Sequence, residues 1–155
     1  MSEAGPPKQM MLAEIERDEC LELLGTERIG RLAVPNHGHY PPHIVPVNFT
    51  LDGDKVVFRT DAGLKFKLSI LAEHSVAFEV DSIDRQGRMA WSVVVQGQAE
   101  LLNWEEVRAR DYESKLQTWA PGNKPEWVRI APYTITGRKL QAVPSSPAML
   151  DQEHP

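Results

Sequence analysis

The chain has 155 residues and a formal net charge of −5, with 41% hydrophobic and 25% charged residues. That length suits one domain with a single core, and the acidic balance argues against a surface that binds DNA, RNA or an anionic membrane as a whole. A single cysteine, Cys20, excludes an intrachain disulfide and a Cys-rich metal framework. No apolar run is long enough to span a membrane, and the acidic, Pro-containing N-terminus does not read as a signal peptide, so a cytoplasmic protein is expected.

In chain order, residues 1–17 are expected to be a mobile N-terminal segment, 18–140 the folded domain and 141–155 a mobile tail. Met1–Lys8 and Pro144–Pro155 are richest in Pro, Ser and charge. Asp18 to Gly25 predicts a short helix, with Asp18 at its start and Gly25 in the left-handed position at its end. Ile29 to Val34 predicts a strand, and Asn36 to Pro42 a Gly/Pro loop. Val45, Val47, Phe49 and Leu51 then alternate with Ile44, Pro46, Asn48 and Thr50, as a half-buried strand requires. Asp52-Gly53-Asp54 is a turn, and Lys55 to Thr60 completes a hairpin.

Asp61 to Leu71 predicts a helix with Leu64, Leu68 and Leu71 on one face. Ser75 to Ile83 is a strand, Asp84 to Arg88 a polar loop and Ala90 to Leu102 a long strand. Asn103 and Glu106 have the spacing of a capping box for a further helix that ends before Pro121-Gly122. Trp127 to Leu140 is mostly β, broken or bulged at Pro132. About six strands and three short helices with hairpin-like spacing predict a mainly β fold: a small, mostly antiparallel barrel with helices outside.

Several chemistries lack their signatures. There is no Gly-rich phosphate loop of the dinucleotide or nucleoside-triphosphate type and no Gly-x-Ser-x-Gly elbow. His37, His39 and His43 sit in a Gly/Pro-rich loop without nearby Cys, Asp or Glu, and no metal site is assigned to them. Cys20 reads as a buried small apolar residue.

Three segments carry more information. In Phe58 to Lys67 a strand ends and a helix begins through Gly63, which places Lys65 and Lys67 against the positive end of the helix dipole. An anion there would remove the conflict, held by helix N–H groups, Thr60, Arg59 and Lys65. Pro46 cannot donate to a ladder, so it marks an edge or bulge whose neighbours have backbone groups free for a flat, polar-edged heterocycle. The strand from Ala90 exceeds the usual ~5–6 residues and is expected to serve two surfaces, with Trp91 and Ser92 offering a stacking plate and a hydroxyl.

Together these segments resemble the pyridoxamine 5′-phosphate oxidase-like superfamily of FMN-binding split β-barrels, and within it the small actinobacterial-type and nitroimidazole-resistance-type members. The matching stretches are Glu19-Cys-Leu-Glu-Leu-Leu24, Ile29-Gly-Arg-Leu-Ala33, Val45-Pro-Val-Asn-Phe49, Phe58-Arg-Thr60, Gly63-Leu-Lys65, Trp91-Ser-Val-Val-Val95 with Gly97, and Ile135-Thr-Gly-Arg138. The resemblance spans Asp18 to Leu140.

It implies a homodimer with two FMN sites at the subunit interface, acting as an oxidoreductase on a small organic substrate. Pro46, Val47, Asn48 and Phe49 would line the isoalloxazine ring. Arg59, Thr60, Gly63, Leu64 and Lys65 would take the phosphate. Trp91, Ser92 and Val93 would approach from the second subunit, with Arg138 a further candidate. The substrate-phosphate residues that pyridoxamine phosphate oxidases carry near their C-terminus are not found, so the resemblance does not extend to vitamin B6 chemistry. The same fold can hold the deazaflavin F420, or serve as a non-catalytic flavin- or haem-binding module.

Overall fold

The computed structural model describes residues 9–36, 38–70, 75–86 and 89–143. Met1–Lys8, Pro144–Pro155, His37 and Leu71 lie outside them, so the readings placed there have no structural counterpart. Along the described chain run β1 (Met10–Ile15), α1 (Arg17–Gly25), β2 (Ile29–Val34), β3 (His43–Asp52), β4 (Lys55–Thr60), α2 (Ala62–Ile70), β5 (Ser75–Asp84), β6 (Met89–Leu102), α3 (Trp104–Ala109), α4 (Tyr112–Lys115) and β7 (Glu126–Ala142).

The sheet order is β1-β7-β4-β3-β2-β5-β6, and β6 pairs back onto β7. Six strands therefore close into an antiparallel barrel, with β1 added outside on β7. Closure removes the exposed edges an open sheet would carry. The expected barrel is present.

β1 corrects the sequence reading, which assigned Met10–Ile15 to a mobile segment. Its residues pair with Gly137 to Ala142 along β7. Met10, Met11 and Leu12 are apolar in succession, so the strand lacks the alternation that reveals strands in sequence.

The long strands do the joining. β6 pairs with β5 from Met89 to Gln98 along one edge and with β7 from Ala90 to Leu102 along the other. The ladder shifts register between Gln96 and Gly97, so that Gly97 faces Pro132 and Gln96 faces Thr134. The bulge expected at Pro132 is there. A Cβ on Gly97 would lie 2.1 Å from the Ala131 carbonyl oxygen, so only glycine fits.

Val47, Phe49, Phe58, Phe78, Val93, Val95 and Ile130 are among the side chains that fill the barrel. Phe49 and Phe78 meet edge-on, 5.0 Å between centroids. A smaller core of Val57, Val107, Tyr112, Leu116 and Trp127 lies under α3 and α4.

The helix readings need three adjustments. Gly25 is the last residue of α1, without a left-handed backbone, and Thr26 caps the helix instead, its hydroxyl donating to the Leu23 carbonyl at 2.7 Å. The capping box of Asn103 and Glu106 is formed, but Asp111 adopts φ 52° and divides the expected single helix into α3 and α4. Aspartate tolerates that conformation better than most residues. Third, α2 begins at Ala62, so Lys67 falls in its last turn. Among the described residues no helix is long and apolar enough to cross a membrane.

Candidate functional site

β3 changes partners halfway along. His43 to Asn48 pair with β2, whereas Phe49 to Asp52 pair with β4. On the β4 side, the stretch around Pro46 therefore has no strand partner among the described residues. Proline removes one N–H there and discourages continued pairing. β4 ends at Thr60, and the chain turns into α2 beside this gap.

The result is a cleft of about 260 Å³ lined by His43, Val45, Pro46, Val47, Arg59, Thr60, Asp61, Gly63, Leu64, Lys67 and Lys124. Of the residues singled out from sequence, it brings together Pro46, Val47, Arg59, Thr60, Gly63 and Leu64. Thr60 is the buried polar residue of the described set, at 4% exposure.

Other candidates stand elsewhere. Lys65 points its ammonium at Glu126, 2.8 Å away, and does not line the cleft. Asn48 is engaged on both ends of its amide: its nitrogen donates to the Arg28 carbonyl at 3.3 Å and its oxygen accepts the Trp119 N–H at 2.8 Å. Phe49 and Val93 are core residues, and their backbones are held in the sheet: the Phe49 N–H donates to the Arg28 carbonyl at 3.1 Å, and Val93 lies between Val80 and Gly137. Trp91 packs partly buried against the core. Ser92 and Arg138, cross-strand partners on β6 and β7, line a separate cleft of about 440 Å³ with Glu14, Ile15, Val94, Ile135, Thr136 and Gly137.

The electrostatics of the first cleft are mixed. Arg59, Lys67 and Lys124 bring three cations, and Asp61 one carboxylate. Asp61 caps α2, accepting the Leu64 N–H at 2.9 Å. A negative group thus already sits at the helix start, and the lysine conflict inferred from sequence is partly relieved within the chain. Arg59 donates its Nε–H to the Lys124 carbonyl at 2.9 Å, and its guanidinium carbon lies 5.0 Å from the centroid of the Trp127 ring.

Sequence reasoning missed Lys124 and Trp127 as parts of this site. Lys124 sits in a loop with no local signal. Trp127 is the direct cross-strand partner of Arg59, a relation visible only once the register is known.

A flat heterocycle bearing a phosphate fits these residues. Pro46 and Val47 offer an apolar wall on a strand edge that has no partner on its β4 side among the described residues, and Arg59, Thr60, Lys67 and Lys124 offer donors and charge. The volume falls below the roughly 300–1,000 Å³ usual for ligand pockets, so one chain encloses such a ligand only in part.

Three relatives place the chain among known proteins. An uncharacterized protein of Mycobacterium tuberculosis is 30% identical over 148 residues, covering 93% of this chain and 95% of the relative. The structure of an FAD-binding protein from Mycobacterium smegmatis is similar with a TM-score of 0.60 and 27% identity, covering 83% of this chain and 98% of that one. An FAD-binding protein from Mesorhizobium loti is similar with a TM-score of 0.68 and 25% identity, covering 86% and 99%. A family model described as pyridoxamine 5′-phosphate oxidase matches residues 16–139, and the chain belongs to that family.

Proposed function

We propose that this chain is a flavin-dependent oxidoreductase that holds FMN in the cleft between Pro46 and Lys67 and acts on a small organic substrate. The observation that carries the reading is the cleft itself: an unpaired strand edge at Pro46 beside three cations and a buried threonine. The two FAD-binding relatives support a flavin over F420 or haem. The phosphate donors suit FMN, and they would equally hold the proximal phosphate of FAD.

Pro46, Val47 and the backbone of Asn48 line the ring edge, with Phe49 packed in the core behind them. Arg59, Thr60 and Lys67 hold the phosphate, with the α2 N–H groups of Ala62 and Gly63 available beside them. The bound flavin would supply hydride chemistry, with the protein contributing position and electrostatics. Cations over the anionic end hold the ligand, while the apolar wall excludes water from one face of the ring. A second copy of the chain completes the enclosure, presenting Trp91, Ser92 and Arg138; the incomplete cleft and the separate lining around Ser92 support this arrangement.

The test is the absorbance spectrum and mass of whatever co-purifies with the protein, followed by titration with FMN, FAD, riboflavin and F420. Micromolar or tighter binding of FMN, with riboflavin weaker by at least about tenfold for the lost charge-assisted bonds, is expected. Absence of binding by any flavin at high micromolar concentration overturns the reading. Preference for F420 moves the function to deazaflavin reduction.

A further inference from the structure

We propose that Trp127 is a positioning residue for the anion site: its indole holds the Arg59 guanidinium flat and leaves the terminal nitrogens presented to the cleft. The proposal rests on the flavin reading above and names a determinant of phosphate selectivity within it.

The geometry is specific. Arg59 and Trp127 are directly paired across β4 and β7. The guanidinium carbon lies 5.0 Å from the ring centroid, within the ~6 Å range of a cation–π contact. The Nε–H is used on the Lys124 carbonyl. A guanidinium has five N–H donors, and among the described residues the four on Nη1 and Nη2 have no protein partner. One edge of the group is thus tied by the carbonyl bond and one face lies against the indole, while the terminal nitrogens have no protein partner among the described residues.

A free arginine side chain has large rotamer freedom that ligand binding must otherwise freeze. Here stacking and the carbonyl bond have already removed much of it. Trp127 is itself held. It is 3% exposed, and its ring stacks with Tyr112 at 6.1 Å between centroids and 26° between planes. The Tyr112 hydroxyl donates to Asp52 at 2.6 Å. A rigid aromatic pair thus backs the guanidinium.

Trp127 also fills the small core under α3 and α4, so a purely structural role must be separated from a positioning one. Equilibrium dialysis of the full chain with FMN and with riboflavin does so, because riboflavin lacks the phosphate. Trp127→Leu is expected to weaken FMN about three- to tenfold and to leave riboflavin within about twofold, while Trp127→Phe, which keeps an aromatic face, restores most of the FMN affinity. In an Arg59→Gln background, Trp127→Leu is expected to add no further loss for FMN.

Arg59→Lys supplies a test that does not depend on Trp127 variants folding. It keeps the charge but not the planar fork, and it is expected to lose most of the preference for FMN over riboflavin. Equal losses for both ligands in Trp127→Leu, an additive loss in the Arg59→Gln background, or an undiminished preference in Arg59→Lys each overturn the positioning role. Wild-type chain that binds no flavin overturns the functional reading and this proposal together.

Discussion

Lys65 and Glu126 form an ion pair at 2.8 Å between α2 and the first residue of β7, and this pair turns Lys65 away from the cleft that its neighbour Lys67 lines. Glu126 faces Thr60 across the β4–β7 ladder, so the carboxylate sits where a lysine four residues into α2 can reach it. Of the two lysines, Lys67 is the one that lines the cleft.

The first prediction separates the two. Lys67→Ala is expected to weaken FMN by about five- to tenfold, as loss of one charge-assisted contact does in a partly exposed site. Lys65→Ala is expected to change FMN affinity less than twofold. Isothermal titration of both variants checks the order; a larger loss from Lys65→Ala would return that residue to the site.

The second concerns pH. The Tyr112 hydroxyl holds the Asp52 carboxyl below its ordinary value, with Arg110 and Lys115 adding to the effect against the cost of burial. Burial, and then the bond to Asp52, push the Tyr112 hydroxyl above its ordinary value. For Asp52, the folded chain binds fewer protons than the unfolded one, so its contribution is present above the ordinary carboxylate value of about 3.9 and is lost as pH falls through the lower folded value. For Tyr112, the contribution is present below about pH 10 and is lost as pH rises through the higher folded value. Tyr112→Phe should therefore cost about 1–2 kcal/mol at neutral pH and flatten both ends of the stability profile measured by urea unfolding. Wild-type-like acid and alkaline limbs in that variant would show that this pair does not set them.

Much of this fold was legible from local pattern. The alternation of Val45, Val47 and Phe49, the Asn103–Glu106 box and the proline at position 132 each report a neighbourhood of a few residues. What was not legible depends on register. β1 is invisible because its partner lies more than 120 residues away on β7, in pairs such as Met10 with Ala142. The same holds for the site. Pro46, Arg59 and Thr60 announce themselves by residue type, whereas Trp127 and Lys124 join them only through the β4–β7 pairing and the loop before it. Helix polarity and the resemblance both point to Lys65, and neither carries information about the Glu126 carboxylate that another strand supplies.

The third prediction follows from Cys20 and Gly137. Cys20 is fully buried on α1, its thiol 3.6 Å from the Ile15 carbonyl, and burial pushes its pKa up, with Glu19 adding to the effect. A Cβ on Gly137 would come within 2.7 Å of its sulfur. The native thiol is therefore expected to react with iodoacetamide only through opening of the α1–β7 contact, at a rate that tracks denaturant. Gly137→Ala should accelerate labelling and cost about 1–3 kcal/mol through overpacking. Rapid labelling of the folded wild type, insensitive to denaturant, would contradict the packing.

The fourth addresses assembly. Ile44 is 63% exposed on β3, two residues from Pro46, and Tyr133 is 63% exposed at the β6–β7 bulge. Exposed apolar side chains such as these are suited to contact with a second copy, and Ile44 stands on the strand that lines the incompletely enclosed cleft. If that contact forms, the chain runs as a dimer in light scattering behind size exclusion. Ile44→Glu then shifts it toward monomer and weakens FMN by more than it changes thermal stability, because the desolvated charge acts at the interface and not in the barrel. A monomeric wild type that still binds FMN tightly would mean that one chain suffices to hold the ligand. A dimer indifferent to Ile44→Glu would move the interface to another face, and Tyr133→Glu would be the next variant to measure.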